Sequence, residues 1–196
     1  MTKYKDGDII EMGDNDYMPW DWGVRKGGLL NEEVMNRNLL DFKRVMDKHK
    51  INFTFIFGSA LGLMREEHKP WAHPYDTDVD TMCDAKDHRN IWKVVADLEE
   101  LGFFIPDKDT CPMRDHFISR DGEKIEIWWF EEIGQDYYYS SRVWYPKGYF
   151  SGGGTPIQYL GETWYVPHSP EEFVKITYGK NWKKPKPEGS YILKDK

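Results

Sequence analysis

Aspartates stand at alternate positions in Asp76-Thr77-Asp78-Val79-Asp80, and an apolar run follows them. In an extended chain, side chains two residues apart share a face, so all three carboxylates can point the same way. Like charges held that close repel, and a cation between them relieves the repulsion. Mg²⁺ or Mn²⁺ suits such hard oxygen ligands. The chemistry this points to is transfer at phosphorus. That reaction needs charge neutralisation and an acceptor oxygen held in line with the leaving group. Two divalent ions about 3.5–4 Å apart can clamp both oxygens. Asp78 and Asp80 are the first two expected ligands. Asp76 is either a further ligand or a group that orients a water. The third ligand should come from an adjacent strand. Glu126, an acid within the otherwise apolar Ile125-Glu126-Ile127-Trp128, is the candidate. The competing reading makes Glu126 an exposed strand residue paired with a lysine.

A second feature lies upstream. The apolar run Phe53–Phe57 ends at Gly58-Ser59, and a helix is expected from Ala60 to about Glu67. Glycine lets a phosphate approach the backbone, and a helix N-terminus attracts anions. Gly58 and Ser59 are therefore candidate donor-phosphate contacts, against the alternative of an ordinary strand-to-helix turn. Arg65, within that helix, either grips phosphate with two parallel bonds or pairs with Glu66, Glu67 or another acid.

Other residues invite chemistry less strongly. Cys83 and His88 are five apart, as are Cys111 and His116, and four such ligands can make a tetrahedral zinc site. Their spacing is wider than structural zinc sites use, and Cys83 sits in an apolar strand. His68 and His73 read as loop histidines. Tyr137, Tyr138, Tyr139, Trp144 and Tyr145 can stack on a base or sugar or surround a choline headgroup, although packing in the core explains most of them. Trp128 and Trp129 must face opposite sides of a strand, so at most one lines a site.

The chain has 196 residues with 16% aromatics, so one domain with a ring-rich core is expected. The net charge of -7 argues against long nucleic acid, which attracts basic surfaces. Mean hydropathy is -0.76, and no apolar run approaches the roughly 20 residues of a membrane span. The N-terminus lacks a signal-peptide pattern, and two cysteines make no disulfide framework, so a cytoplasmic protein is expected.

These groups need a scaffold. Residues 1–28 carry no period and read as an arm packing through Tyr17, Trp20 and Trp22. Asn31 should cap a helix carrying Met35, Leu39, Phe42 and Met46. A helix from about Asp87 bears Ile91, Val94, Val95, Leu98 and Leu101, and Gly102 stops it. Asp121-Gly122 predicts a hairpin between 116–120 and 123–130. Ser169, Pro170 and Glu172 predict a capping box opening a last helix that Gly179 ends. Residues 137–164 read as irregular. This order predicts an α+β fold, a small mixed β-sheet with helices packed on it. A catalytic domain over 29–187 and a tail over 188–196 complete the expected organisation.

Gly58-Ser59-Ala60-Leu61-Gly62-Leu63-Met64-Arg65 followed by Pro74-Tyr75-Asp76-Thr77-Asp78-Val79-Asp80 resembles the LicD/fukutin family of the nucleotidyltransferase-like superfamily. The tail elements Tyr165-Val166-Pro167 and Tyr178-Gly179-Lys180-Asn181-Trp182 look alike too, so the resemblance runs from about Leu39 to Pro187. Thr77 and Tyr75 depart from the family's acid and tryptophan. The resemblance implies a nucleotidyltransferase-like fold and a transferase dependent on Mg²⁺ or Mn²⁺. Such an enzyme moves phosphocholine or a polyol phosphate from a CDP-linked or other nucleotide-diphosphate donor to a glycan hydroxyl. It also implies that Asp78 and Asp80 hold metal, that Gly58 and Ser59 hold donor phosphate, and that Glu126 stands at the third carboxylate position. Two alternatives remain: transfer of a nucleoside monophosphate from a triphosphate, and a carbohydrate- or nucleotide-binding module without catalysis.

Overall fold

Asn31 starts the first helix as expected. Its Oδ1 accepts from the Val34 amide at 3.2 Å, and Glu32 and Glu33 face the positive end of the dipole. This helix, α1 (Glu32–Lys48), buries Met35, Leu39, Phe42, Val45 and Met46. The structure is a computed structural model that describes residues 30–65, 68–71, 76–105, 116–140 and 143–185. The expected arm with Tyr17, Trp20 and Trp22, together with Glu66, Glu67, His73, Pro74, Tyr75, Cys111 and the tail over 188–196, lies outside them.

Strand β1 (Phe53–Phe55) is shorter than the sequence suggests, and helix α2 (Phe57–Met64) starts earlier. Phe57 takes a φ of 43°, which breaks the strand and turns the chain at once into the helix. Gly58 and Ser59 thus lie inside the first turn of α2 rather than before it. Strand β2 (Asp78–Asp84) leads into a tight 3-10 segment, Ala85–Asn90, and then α3 (Ile91–Glu100). The helix expected from Asp87 begins later because the Asp84 carboxylate accepts from the Lys86 amide at 2.9 Å and starts the 3-10 segment. Strands β3 (His116–Arg120) and β4 (Glu123–Ile133) form the predicted hairpin. Asp121 and Gly122 both have positive φ, 52° and 87°, as the two-residue turn requires.

The stretch read as irregular contains four strands: β5 (Tyr137–Ser140), β6 (Val143–Pro146), β7 (Thr155–Tyr159) and β8 (Glu162–Val166). Its aromatic and β-branched residues satisfy strand geometry through pairing with partners that local periodicity does not reveal. Helix α4 (Pro170–Tyr178) ends at Gly179, with φ 83°, as expected. Its predicted capping box is absent: Ser169 sits at φ 49°, and its side chain makes no cap hydrogen bond.

The main sheet runs β1-β2-β4-β5-β6, with β3 on β4. The β2–β4 pair is parallel and the other pairs are antiparallel. This is the expected mixed α/β architecture. One side of the sheet packs Val79, Cys83, Ile125, Ile127 and Trp129 against α1 and α3. On the other side, Met82 and Phe130 meet α2, α4 and Tyr138, Tyr145 and Phe150. The β7–β8 hairpin covers β1, where Trp164 stacks on Phe55 at 5.2 Å. Among the described residues no helix is long and apolar enough to cross a membrane.

Polar bonds lock the β3–β4 hairpin to the helices. Arg120 donates to Asn38 Oδ1 at 2.8 Å, to Asp41 Oδ2 at 2.6 Å and to the Leu101 carbonyl at 2.9 Å. The buried Glu123 carboxylate accepts the Asn31 amide at 3.0 Å, and so joins the start of α1 to the start of β4. Charge-assisted bonds of this kind are the stronger class. They set β4 in depth against β2, and the site depends on that setting.

Candidate functional site

In the parallel pairing of β2 with β4, Asp78 lies opposite Lys124 and Asp80 opposite Glu126. Strand alternation puts Asp78, Asp80, Lys124, Glu126 and Trp128 on one face. The side chains meet there. Lys124 Nζ lies 2.7 Å from Asp78 Oδ2 and 2.5 Å from Glu126 Oε1. The two carboxylates predicted from separate strands are therefore neighbours.

Asp80 is the most tightly held acid. Its Oδ2 accepts from the Gly58 amide at 3.1 Å, and its Oδ1 accepts from Trp128 Nε1 at 3.3 Å. Its own amide donates to Ser59 Oγ at 2.7 Å. Asp76 closes the opposite side. A Cβ built on Gly58 would fall within contact of Asp76 Oδ2 and lie 3.2 Å from Asp80 Oδ2. Only glycine leaves that gap between the two aspartates.

The close packing of the acids shifts two of their carboxyls. Burial, then the charges of Asp78, Glu126 and Asp76, raises the Asp80 carboxyl well above the usual carboxylate range, while the Trp128 bond opposes the shift. Burial and the Asp78 charge also raise Glu126, against the pull of Lys124. Burial alone would lower Lys124, but Asp78 and Glu126 outweigh it and hold the ammonium charged. Acids that resist ionisation together are the setting in which a bound cation lowers the energy.

The remaining candidates divide. Ser59 is fully buried, and its oxygen supports the Asp80 backbone, so it acts on the carboxylate cluster rather than reaching outward to a phosphate. Arg65 follows the last turn of α2, about 10 Å along the helix from Gly58. Its Nε and Nη2 donate to the Trp182 carbonyl at 3.1 and 2.7 Å. It tethers the C-terminal segment, a partner that neither sequence reading named. His68 uses Nδ1 on the Leu63 carbonyl at 3.0 Å. Cys83 is wholly buried in β2, and burial pushes its thiol up, as suits a packed core thiol. His88 meets the Trp129 ring edge-on at 5.0 Å. Tyr138 and Tyr145 are buried in the core, whereas Tyr137 and Trp144 are exposed. Trp128 faces the carboxylates, and Trp129 faces the other core, as strand alternation required.

Lys124 was not singled out by the sequence reading; it lies among the acids and gives Glu126 the lysine partner of its competing reading, although Glu126 is half-buried rather than exposed. Trp128, one of the two tryptophans of which at most one could line a site, positions Asp80. The signal was present in the alternation Lys124-x-Glu126-x-Trp128, which puts all three on the face of Glu126.

The donor set suits a hard divalent ion. The candidate ligands are carboxylates, and the gap beside Gly58 is one that a Cβ would fill. Among the described residues no three or more aspartate, glutamate, histidine or cysteine side chains stand in a group that could hold a metal ion as they lie. Lys124 spaces Asp78 from Glu126 at ammonium distances.

No protein-family profile matches the chain, and no curated protein matches its sequence. Its fold is similar to that of a solved structure, the solution structure of antibiotic-resistance factor ANT(2'')-Ia. The TM-score is 0.53 at 12% identity, over 76% of this chain and 71% of that one. A crystal structure of ANT(2'')-Ia in complex with adenylyl-2''-tobramycin gives a TM-score of 0.48 at 11% identity, over 68% of this chain and 69% of that one. The sheet order and the first of these likenesses make this a nucleotidyltransferase-like fold.

Proposed function

We propose that residues 29–187 form a metal-dependent transferase that moves a nucleoside monophosphate from a nucleoside triphosphate to a hydroxyl acceptor, releasing pyrophosphate. The observation that carries this reading is the placing of Asp76 and Asp80 against Gly58, with Asp78 and Glu126 joined through Lys124 on the same strand face. A fold shared with an aminoglycoside nucleotidyltransferase supports it. Asp78 and Asp80, with Asp76 beside them, would hold Mg²⁺ or Mn²⁺. When bound, the ion supplies positive charge to the donor phosphates. Gly58 allows the donor to approach the N-terminal amides of α2. Ser59 and Trp128 keep Asp80 in position. Glu126 is the carboxylate proposed to take the proton from the acceptor hydroxyl.

A second reading shares this centre. The Gly58–Arg65 and Asp76–Asp80 segments favour transfer of a phospho-alcohol, such as phosphocholine or a polyol phosphate, from a CDP-linked donor to a glycan hydroxyl. The product separates the two. Purified protein with Mg²⁺ is offered the four nucleoside triphosphates and a panel of CDP-, UDP- and GDP-linked donors, with sugar acceptors. Pyrophosphate release supports the first reading and CMP release the second. Both fail if no product forms and calorimetry detects no metal-dependent nucleotide binding.

A further inference from the structure

Positive charge is concentrated near the end of an otherwise acidic chain. The net charge is -7, yet residues 173–187 hold five lysines and no acid. Helix α4 buries Phe173, Val174 and Thr177 and leaves Lys175 and Ile176 facing outward, side by side in its last turn. Gly179, with φ 83°, then turns the chain. Two tight turns follow, closed by the Trp182 amide on the Gly179 carbonyl at 3.2 Å and the Lys184 amide on the Asn181 carbonyl at 3.0 Å. They leave Lys180, Lys183 and Lys184 exposed.

This is a fixed surface rather than a loose tail. The Trp182 side chain is buried, and its carbonyl accepts two bonds from Arg65 at the end of α2. Lys183 rests on the Trp182 ring, 5.2 Å from its centroid, where its charge is not neutralised. Elsewhere Lys43, Lys48, Lys69, Lys86 and Lys147 each pair with an acid. Among the described residues Lys175, Lys180, Lys183 and Lys184 pair with none. Lys175 complements the negative end of the α4 dipole, but the other three lie beyond the helix. The acids of α4, Glu171 and Glu172, are confined to its first turn. Ile176 is 56% exposed. An isoleucine standing out among lysines gives nothing to a solvated polyanion, but it suits the boundary between lipid headgroups and acyl chains.

We propose that Lys175, Ile176, Lys180, Lys183 and Lys184 form a surface that docks the protein on an anionic lipid membrane, with the lysines against the headgroups and Ile176 below them. Charge complementarity selects the partner. Each lysine close to an anionic leaflet strengthens binding about fivefold, and the attraction fades within a Debye length of about 8–10 Å. The acidic remainder of the chain is repelled by the same leaflet, so the basic face makes the contact. Helix α4 packs with α2 on one side of the sheet, which places this surface on the side that carries Gly58. The inference stands apart from the transfer reading and holds whichever group, if any, the protein transfers.

The test is co-sedimentation of the full chain with vesicles of phosphatidylcholine alone and of phosphatidylcholine mixed with phosphatidylserine, at low and at physiological salt. The protein should bind the mixed vesicles, ignore the neutral ones and bind less as salt rises. The double variant Lys180→Gln/Lys184→Gln, which alters two exposed side chains, should weaken binding about 30-fold. Ile176→Ser should weaken it about tenfold. Circular dichroism should show both variants folded as the wild type is. Failure of the wild type to bind mixed vesicles overturns the proposal. Equal binding to both vesicle types overturns it too, as does equal binding by the wild type and either variant. Binding to inorganic polyphosphate without binding to vesicles would assign the surface to a soluble polyanion and overturn it as well. The lipid and salt dependence of the wild type decides the matter even if a variant fails to fold.

Discussion

Substituting Gly58→Ala separates the scaffold from the site. Gly58 lies in the first turn of α2 and is absent from the residues with positive φ, so alanine meets no backbone strain. In a helix the change is favourable by up to about 1 kcal/mol. The new methyl is the problem. It would lie 3.1 Å from Asp76 Cγ and 3.2 Å from Asp80 Oδ2, and nearer still to Asp76 Oδ2. Carbon contacts are comfortable only from about 3.5 Å. Asp80 must therefore shift by a few tenths of an ångström, loosening its bond from the Gly58 amide. Asp76, on a half-buried connecting segment, must swing away. Disturbing the partners around a metal typically costs 10- to 100-fold in affinity, which is about 1.4–2.8 kcal/mol. Mn²⁺ titration calorimetry should show that loss, while thermal unfolding in EDTA stays at or slightly above wild type. Mn²⁺ affinity within twofold of wild type in a folded Gly58→Ala protein would falsify the assignment of this gap to the cation.

Asp80→Asn should abolish transfer and stabilise the metal-free protein at neutral pH. Burial, then the charges of Asp78, Glu126 and Asp76, raises the Asp80 carboxyl, so its contribution to stability is complete below its unfolded pKa of about 3.9. That contribution is lost as pH rises through the raised folded value. In EDTA the melting temperature of Asp80→Asn relative to wild type should therefore increase as pH rises above about 4; a constant or shrinking difference counts against the buried, crowded carboxylate. Arg65→Ala removes two charge-assisted bonds to the Trp182 carbonyl, with an expected stability loss of about 2 kcal/mol. Nucleotide affinity below the melting transition should be unchanged, and a large rise in donor KM with normal stability would restore Arg65 to a phosphate-binding role.

Local signals were legible where one segment contains both the cause and the effect. Asn31 caps α1 because its carboxamide reaches Val34 three residues on. Asp121-Gly122 makes a hairpin because both residues tolerate positive φ. The mixed sheet with packed helices follows from the order of such segments. The stretch 137–164 was misread because β5 and β6 alternate only weakly. What defines them is pairing with the end of β4 and with each other. Ser169 looked like a cap by type and place, yet the chain enters α4 with φ 49°, and the hydroxyl cannot reach its amides. Arg65 was assigned by proximity to the glycine turn in sequence. Its partner is Trp182, 117 residues away.

The alternation of Asp78 and Asp80 made a carboxylate-lined strand face a matter of sequence alone, because the period of an extended chain is two; Asp76, expected on the same face, lies before the strand. An acid at Glu126 inside an apolar strand was equally plain. Tertiary structure decided that these acids would meet, by setting Asp80 opposite Glu126 in a parallel pairing. A slip of one residue would turn Glu126 to the reverse side. The same register delivers Lys124 to Asp78, which spacing along one strand does not specify. Register is set by the whole interface of α1, α3 and the hairpin against β4, and that sum of contacts is not written in any single motif.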